Sequence, residues 1–321
     1  GTEFDYCDVA AVTNITSDHI GIDGVDSLEQ MARVKQSLLR LARDRAVVNA
    51  DDRLCLEIAG EVRARELCLV TLHQDNEAVA EHLRGGGPAA VRGPKDKGKR
   101  IVLGERGKIK PLRPAKEIPA TLGGCARHNI QNAMVAAALA RGLGVPQEAI
   151  RKALAGFENS FEMSAGRLNI FDSHPFLVAM DYGHNPEGIE VVSQALQARY
   201  PERRRIGVLT VVGSRHAEQI QATAKSVAGL YDHFVCGRDN TYSFKPESLG
   251  QRGFPGEEIP QRLADAFAEE GIAAKRLTVR PNCSEAIEAG LSLAKPGDLV
   301  AIFTDEPQRS WDIVAEYTPA S

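Results

Sequence analysis

Two short stretches hold residue types that could act together on a ligand: Ala165-Gly-Arg-Leu-Asn169 and Asp181-Tyr-Gly-His-Asn-Pro186. The first reads as a tight turn entering a strand. The second reads as the polar end of a strand over Phe176 to Asp181, which breaks at Pro186 into a helix. In an open α/β sheet, ligands sit beyond the carboxyl ends of the strands. Asp181, His184 and Asn185 fall at such an end, and proline suits the first turn of the helix that follows. A cleft built of polar strand tips suits a charged or polar ligand.

The elements that must position such residues follow from pattern. Asp8 to Asn14 is a nearly continuous apolar run with a polar tip, as expected of a buried parallel strand. His19 comes shortly after it. Ser27 can cap a helix whose apolar positions Leu28, Met31, Val34, Leu38 and Leu41 make one buried stripe, and Lys35 lies on the neighbouring face. Arg45 to Asn49 is the next expected strand, Asp51-Asp52 caps a further helix, and Glu66 to Leu72 is another strand. Residues 84 to 100 have loop composition, and Gly85 to Gly87 reads as a connector. Ile101 to Leu103 and Lys108 to Lys110 flank Gly104-Glu-Arg-Gly107, the pattern of a β-hairpin with a four-residue turn. An unbroken alanine-rich helix then runs over Ile130 to Ala140. Asn129 and Asn132 share one face near its start. A second helix begins at Val145-Pro146 and runs to Gly156.

From Gly166 onward strands and helices alternate to the end, which predicts a mostly parallel sheet covered on both faces. The strand tips Gly213-Ser-Arg215, Gly237-Arg-Asp239 and Thr304-Asp-Glu306 are polar. Arg203-Arg-Arg205, at the start of one strand, reads as solvated. The expected domains are residues 1–162 and 163–321 of the 321-residue chain, long enough for two cores. A net charge of −4 supplies no basic field for nucleic acid. No apolar run reaches the length of a membrane span. Six scattered cysteines, without metal or CxxC spacing, read as reduced thiols of a cytoplasmic protein.

Taken in order, Val12-Thr-Asn-Ile-Thr-Ser-Asp-His19, Lys35, Val48-Asn-Ala-Asp-Asp52, Gly124 with His128-Asn-Ile-Gln-Asn132, Gly166-Arg167 and Asp181-Tyr-Gly-His-Asn-Pro186 resemble the motif series of the Mur ligases. Ile118 to Gly124, Gly166 to Asn169 and Pro296 to Phe303 look most like the Mur-ligase-like half of the cyanophycin synthetase branch. The resemblance implies an α/β fold: a P-loop-type Mur ligase central domain lacking its N-terminal part, then a Rossmann-like C-terminal domain. It implies an ATP-dependent acid–amino-acid ligase that activates a peptide carboxylate as an acyl phosphate and passes it to an amino acid, arginine in the family scheme. ATP and Mg²⁺ are the implied cofactors, with an amino acid and a peptide or polymer as substrates and a homo-oligomer as the expected assembly.

Carried onto this chain, the resemblance makes His19 a Mg²⁺ ligand and Lys35 the lysine that many Mur ligases carbamylate. It sets Asn129 and Asn132 against adenine, Arg167 and Asp181 on ribose and phosphates, and His184 and Asn185 in the closed cleft, with Arg215 near substrate or phosphate. One departure is large. The family's phosphate-cradling loop ends in Gly-Lys-Ser/Thr, whereas here Gly98-Lys99 is followed by Arg100. These residues alone are therefore expected not to turn over ATP, and a non-catalytic binding or oligomerisation module is the rival reading. Muramyl-peptide and folylpolyglutamate ligases share most of the motifs and stand third.

Overall fold

A computed structural model describes residues 4–16, 20, 24–93, 100–105, 108–211, 217–238 and 254–319. The chain divides into two compact units, Gly1–Phe157 and Glu158–Ser321. No helix among the described residues is long and apolar enough to cross a membrane.

The first unit is built on a six-stranded sheet in sequential order: β1 (Cys7–Val12), β2 (Ala42–Asn49), β3 (Glu66–Thr71), β4 (Ala89–Arg92), β5 (Arg100–Glu105) and β6 (Lys108–Pro114). The first four strands run parallel; β5 and β6 fold back antiparallel. Helices α1 (Leu28–Arg40), α2 (Arg53–Ala59) and α3 (Glu77–Arg84) connect the parallel strands. They pack on the face formed by Ala46, Val48, Leu69 and Ala89. Helices α4 (Arg127–Gly142) and α5 (Gln147–Gly156) pack on the other face, against Val47, Cys68, Val70 and Ala90. Alternate residues of one strand thus feed two cores, which is why these strands read as continuous apolar runs.

Three expectations for this unit need correction. Val34, expected in the buried stripe of α1, is 54% exposed, and Leu39 is buried instead. Residues 84 to 100 are not all connector: Ala89–Arg92 enters the sheet as β4, parallel to β3. Three apolar residues between glycines and a proline are too short a run to register as a strand, yet Ala89 and Ala90 are fully buried. The hairpin is also longer than its composition suggests, because the ladder continues through Gly104↔Ile109 and Glu105↔Lys108. A Cβ on Gly104 would lie 2.5 Å from the end of the Leu83 side chain, so the glycine lets that leucine pack close on the hairpin.

The second unit has a six-stranded sheet with a reordered topology, β11-β10-β9-β12-β8-β7. Its strands are β7 (Asn169–Phe171), β8 (Leu177–Asp181), β9 (Arg205–Val211), β10 (His233–Arg238), β11 (Leu277–Val279) and β12 (Leu299–Phe303). All pairs are parallel except β7–β8. Its helices are α6 (Pro186–Arg199), α7 (Ala217–Val227), α8 (Ile259–Glu269), α9 (Cys283–Leu293) and α10 (Pro307–Glu316). Phe234 stacks on Phe267 of α8 at 4.0 Å, while its neighbour Val235 packs with Ile287 and Leu291 of α9 and Val314 of α10. Helices therefore cover both faces. Residues just after the unit boundary are held by the same core: Phe161 stacks on Trp311 at 4.7 Å.

Arg203 to Arg205 are not simply solvated. Arg204 Nη1 donates to the buried Asp298 carboxylate at 2.8 Å, Arg203 Nη1 to the Gly297 carbonyl at 2.8 Å and Arg205 Nε to the Leu230 carbonyl at 2.8 Å. At the amino ends of parallel strands the loop carbonyls need donors, and the three arginines supply them.

Candidate functional site

The second unit's site lies where its strand order changes direction. β8 feeds α6 on one face of the sheet, and the adjacent β12 feeds α10 on the other, so the loops after them diverge. A crevice beyond the carboxyl ends of two such strands is where open α/β sheets bind ligands. Asp181 is the last residue of β8 and pairs with Phe303 at the end of β12; the Thr304 N–H donates to the Asp181 carbonyl at 3.1 Å.

The turn beside it is fixed from every side. Gly166 (φ 71°) and Leu168 (φ 54°) are both left-handed and bracket Arg167. For leucine this conformation costs free energy and persists only where the surroundings over-determine it. The surroundings do so: Leu168 is buried, and its N–H donates to Asp181 Oδ2 at 2.9 Å. The Gly166 N–H donates to Asn169 Oδ1 at 2.7 Å. The fully buried Asn169 donates in turn to the carbonyls of Asn159 (3.0 Å) and Ser164 (2.9 Å). The Tyr182 N–H closes the loop on the Gly166 carbonyl at 2.7 Å.

Burial pushes the Asp181 carboxyl up to about 6; the nearby Arg167 guanidinium, the Leu168 and Gly183 N–H groups and His184 pull the other way. Arg167 is exposed, its guanidinium 5.1 Å from the centre of the Tyr182 ring. Among the described residues it forms no ion pair. His184 Nδ1 lies 3.0 Å from the Tyr182 carbonyl, which only accepts, so this tautomer carries its proton on Nδ1. Asn185 caps α6, its Oδ1 accepting from the Gly188 N–H at 2.8 Å. Arg167, Asp181, His184 and Asn185 are thus brought together around one strand tip, with Asn185 committed at least partly to holding its helix.

In the first unit the carboxyl ends of β1, β2 and β3 carry a network of polar side chains. Asn49 Nδ2 donates to the Thr13 carbonyl at 2.8 Å, and the Ile15 N–H donates to Asp52 Oδ2 at 2.9 Å, so the loop after β1 is tied to the end of β2. Asp52 also caps α2. Asp51, one residue earlier, instead crosses to β3: it accepts from the Thr71 hydroxyl and, at 2.7 Å, from the Leu72 N–H. Sequence reasoning took the two aspartates together as a cap and missed this division; the signal was the fully buried Thr71 at the next strand's polar end. Lys35 Nζ donates to the Asn14 carbonyl at 3.0 Å, which sets it over the β1 tip.

Helix α4 runs antiparallel to these strands. Near its end, the Ala138 carbonyl accepts from Arg45 at 3.3 Å, and Gly142 approaches Val9 and Arg45 at the strands' amino side. Its first turn therefore lies at the carboxyl ends. There Asn129 Nδ2 donates to the Ala120 carbonyl at 2.8 Å and Asn132 Nδ2 to Asn129 Oδ1 at 3.3 Å, so the two asparagines do meet on one face. Beside them, His128 Nδ1 and Arg92 Nε are buried and have no hydrogen-bond partner among the described residues. Burial pushes His128 down to about 4. Arg92 is lowered too, by burial and then by the charge of Arg127. Buried polar atoms are nearly always paired, so these two are available to a polar ligand, and neither was given a role from the sequence.

His19 and Arg215 lie outside the described residues. Among the described residues no group of three or more His, Cys, Asp or Glu could hold a metal ion. Those residues do not by themselves make a Mg²⁺ site.

Comparison with known proteins gives the following. Residues 3–140 match the Mur ligase middle domain, and residues 166–304 match the Mur ligase, glutamate ligase domain. The chain is 30% identical over 321 residues to the cyanophycin synthetase of Crocosphaera subtropica, covering 99% of this chain and 35% of that protein. It is 31% identical over 328 residues to the cyanophycin synthetase of Geminocystis herdmanii, again covering 99% and 35%. The chain thus spans about a third of the length of these relatives. Among solved structures, FolC of E. coli, in complex with DHPP and ADP, superposes with a TM-score of 0.63 at 19% identity, covering 96% of this chain and 61% of that one. At that identity the likeness concerns the fold alone.

Proposed function

The chain belongs to the Mur ligase family, with the middle and glutamate-ligase domains in family order, and from that membership we propose that it is part of an ATP-dependent acid–amino-acid ligase of the cyanophycin synthetase type. In this reading a peptide carboxylate is activated as an acyl phosphate and transferred to the amine of an amino acid, arginine by likeness to that branch. The observation that carries the proposal is that Arg167, exposed and without an ion pair among the described residues, lies beside a half-buried Asp181 at the switch point of the second sheet.

Chemistry on phosphates is mostly positioning and charge stabilisation. Arg167 is the described cation at this tip that is free to meet a phosphate oxygen. Asp181, held by two backbone N–H groups, is placed to accept from a ribose hydroxyl. In the first unit, Asn129 and Asn132, with His128 and Arg92 close by, are the groups offered to adenine. Lys35, at the β1 tip, would serve the reacting end, either as an ammonium or, carbamylated, as a carboxylate facing a cation; its bond to the Asn14 carbonyl needs one N–H, which a carbamate keeps. Acyl phosphates hydrolyse in water, and His184 and Asn185, at the tip of β8, are placed to shield one from it.

These 321 residues contain no Gly-Lys-Ser/Thr loop, so binding is the property to measure. Calorimetric titration with MgATP should give heat that disappears in Arg167→Ala. Absence of heat from the unaltered chain at millimolar ATP would favour the non-catalytic module.

A further inference from the structure

We infer that Tyr182 is a positioning residue: its ring, rather than the Asp181 carboxylate, holds the Arg167 guanidinium in place for an anionic ligand. This rests on the reading of the strand tip as a nucleotide site and adds to it the part that aims the cation.

The turn backbone leaves Arg167 little choice of direction. Gly166, Leu168 and Asn169 are each hydrogen-bonded, and the Arg167 N–H itself donates to the Ser164 carbonyl at 3.2 Å. What remains free is a long side chain in solvent, which by itself would sample many rotamers. Asp181 is close enough for the guanidinium to favour its charged form, yet no ion pair joins them among the described residues, and Asp181 Oδ2 is already taken by the Leu168 N–H. The Tyr182 ring is the surface that meets the guanidinium, 5.1 Å from its centre.

That ring is itself fixed. The Tyr182 N–H is tied to the Gly166 carbonyl, its own carbonyl accepts from His184 Nδ1 at 3.0 Å, and the His184 ring stands edge-on to it, centroids 5.0 Å apart at 72°. A planar cation on an aromatic face is held without spending its donors on a carboxylate. Its N–H groups stay available for phosphate or carboxylate oxygens. A bidentate salt bridge to Asp181 would take two of the five.

The test uses the 321-residue chain with Tyr182→Phe, Tyr182→Leu, Arg167→Ala and the Tyr182→Leu/Arg167→Ala double variant. In NMR spectra the Arg167 Nε–Hε resonance should carry a ring-current shift in the unaltered chain and in Tyr182→Phe, and lose it in Tyr182→Leu. MgATP should bind Tyr182→Phe as it binds the unaltered chain, Tyr182→Leu about three- to fivefold more weakly, as expected for an exposed cation–π contact, and the double variant no more weakly than Arg167→Ala. A ring-current shift that survives in Tyr182→Leu, or a Tyr182→Leu chain that binds MgATP as well as the unaltered one, overturns the inference. Should MgATP fail to bind even the unaltered chain, the nucleotide reading falls and the resonance alone decides the role of Tyr182. If Tyr182→Leu does not fold, Arg167→Lys replaces it, keeping the charge but not the planar stack; undiminished affinity there also overturns the inference.

Discussion

Asp181 gives the site a pH dependence whose direction follows from its surroundings. Its carboxyl is raised from 3.8 to about 6, chiefly by burial. Between those values the folded chain holds a proton that the unfolded chain has released, so stability falls as pH rises through the window. At roughly 1.4 kcal/mol per pH unit, the loss is on the order of 2–3 kcal/mol. Asp181→Asn removes the titration while keeping an oxygen for the Leu168 N–H. We expect the stability difference, Asp181→Asn minus unaltered chain, to grow in favour of the variant from pH 4 to pH 7 and then stay level. Trp311, the chain's one tryptophan and part of the second unit's core, reports this by fluorescence during denaturation. A flat difference would mean that Asp181 is better solvated or paired than its position indicates. His128, pushed down to about 4 by burial, has the opposite sign: the unfolded chain gains the proton first as pH falls, so its contribution is lost towards acid.

At the scale of elements, the strand tip is only as well placed as the helices behind it. Helix α9 lies close on β9 because Gly290 has no side chain: a Cβ there would sit 2.4 Å from Val208 Cγ2. The same helix starts at Cys283, whose Sγ is 3.5 Å from the Thr304 hydroxyl at the end of β12. Thr304 in turn accepts from the Glu306 N–H at 3.0 Å and from the Ser310 hydroxyl at 3.1 Å, fixing the loop that faces Asp181. Gly290→Ala should therefore destabilise the second unit by about 1–3 kcal/mol, the usual result of overpacking. Val208→Ala opens space at the contact, so the double variant should be more stable than the sum of the two single changes predicts. Chemical denaturation of the four chains closes that cycle. Strict additivity would show that α9 moves away from β9 as a body instead of straining against Val208.

At the scale of the molecule, what could be read from the sequence depended on how far each signal reaches. Continuous apolar runs such as Asp8 to Asn14 announced parallel strands, and Pro186 announced a helix behind the tip that ends in Asp181, because both signals are local. β4 escaped notice, since three apolar residues after a glycine run identify a strand only once β3 supplies the ladder. The Arg92–Arg127–His128 cluster escaped for a related reason: it arises from α4 lying across strands that are distant in sequence. The same separation of local from long-range signals bears on how the chain folds. The first unit has its own apolar clusters on both faces of its sheet, and the second has another, built around Val178, Ile206, Ile287 and Val300. Residues 158–321 include Phe161 and Trp311, whose stacking ties the start of the second unit to its own last helix. A domain of about this size buries enough surface to fold alone. Expressed separately, residues 158–321 should show one cooperative transition with the Trp311 emission of the whole chain. A piece that stays unfolded, with Trp311 emitting as in denaturant, would mean that the second core depends on the first.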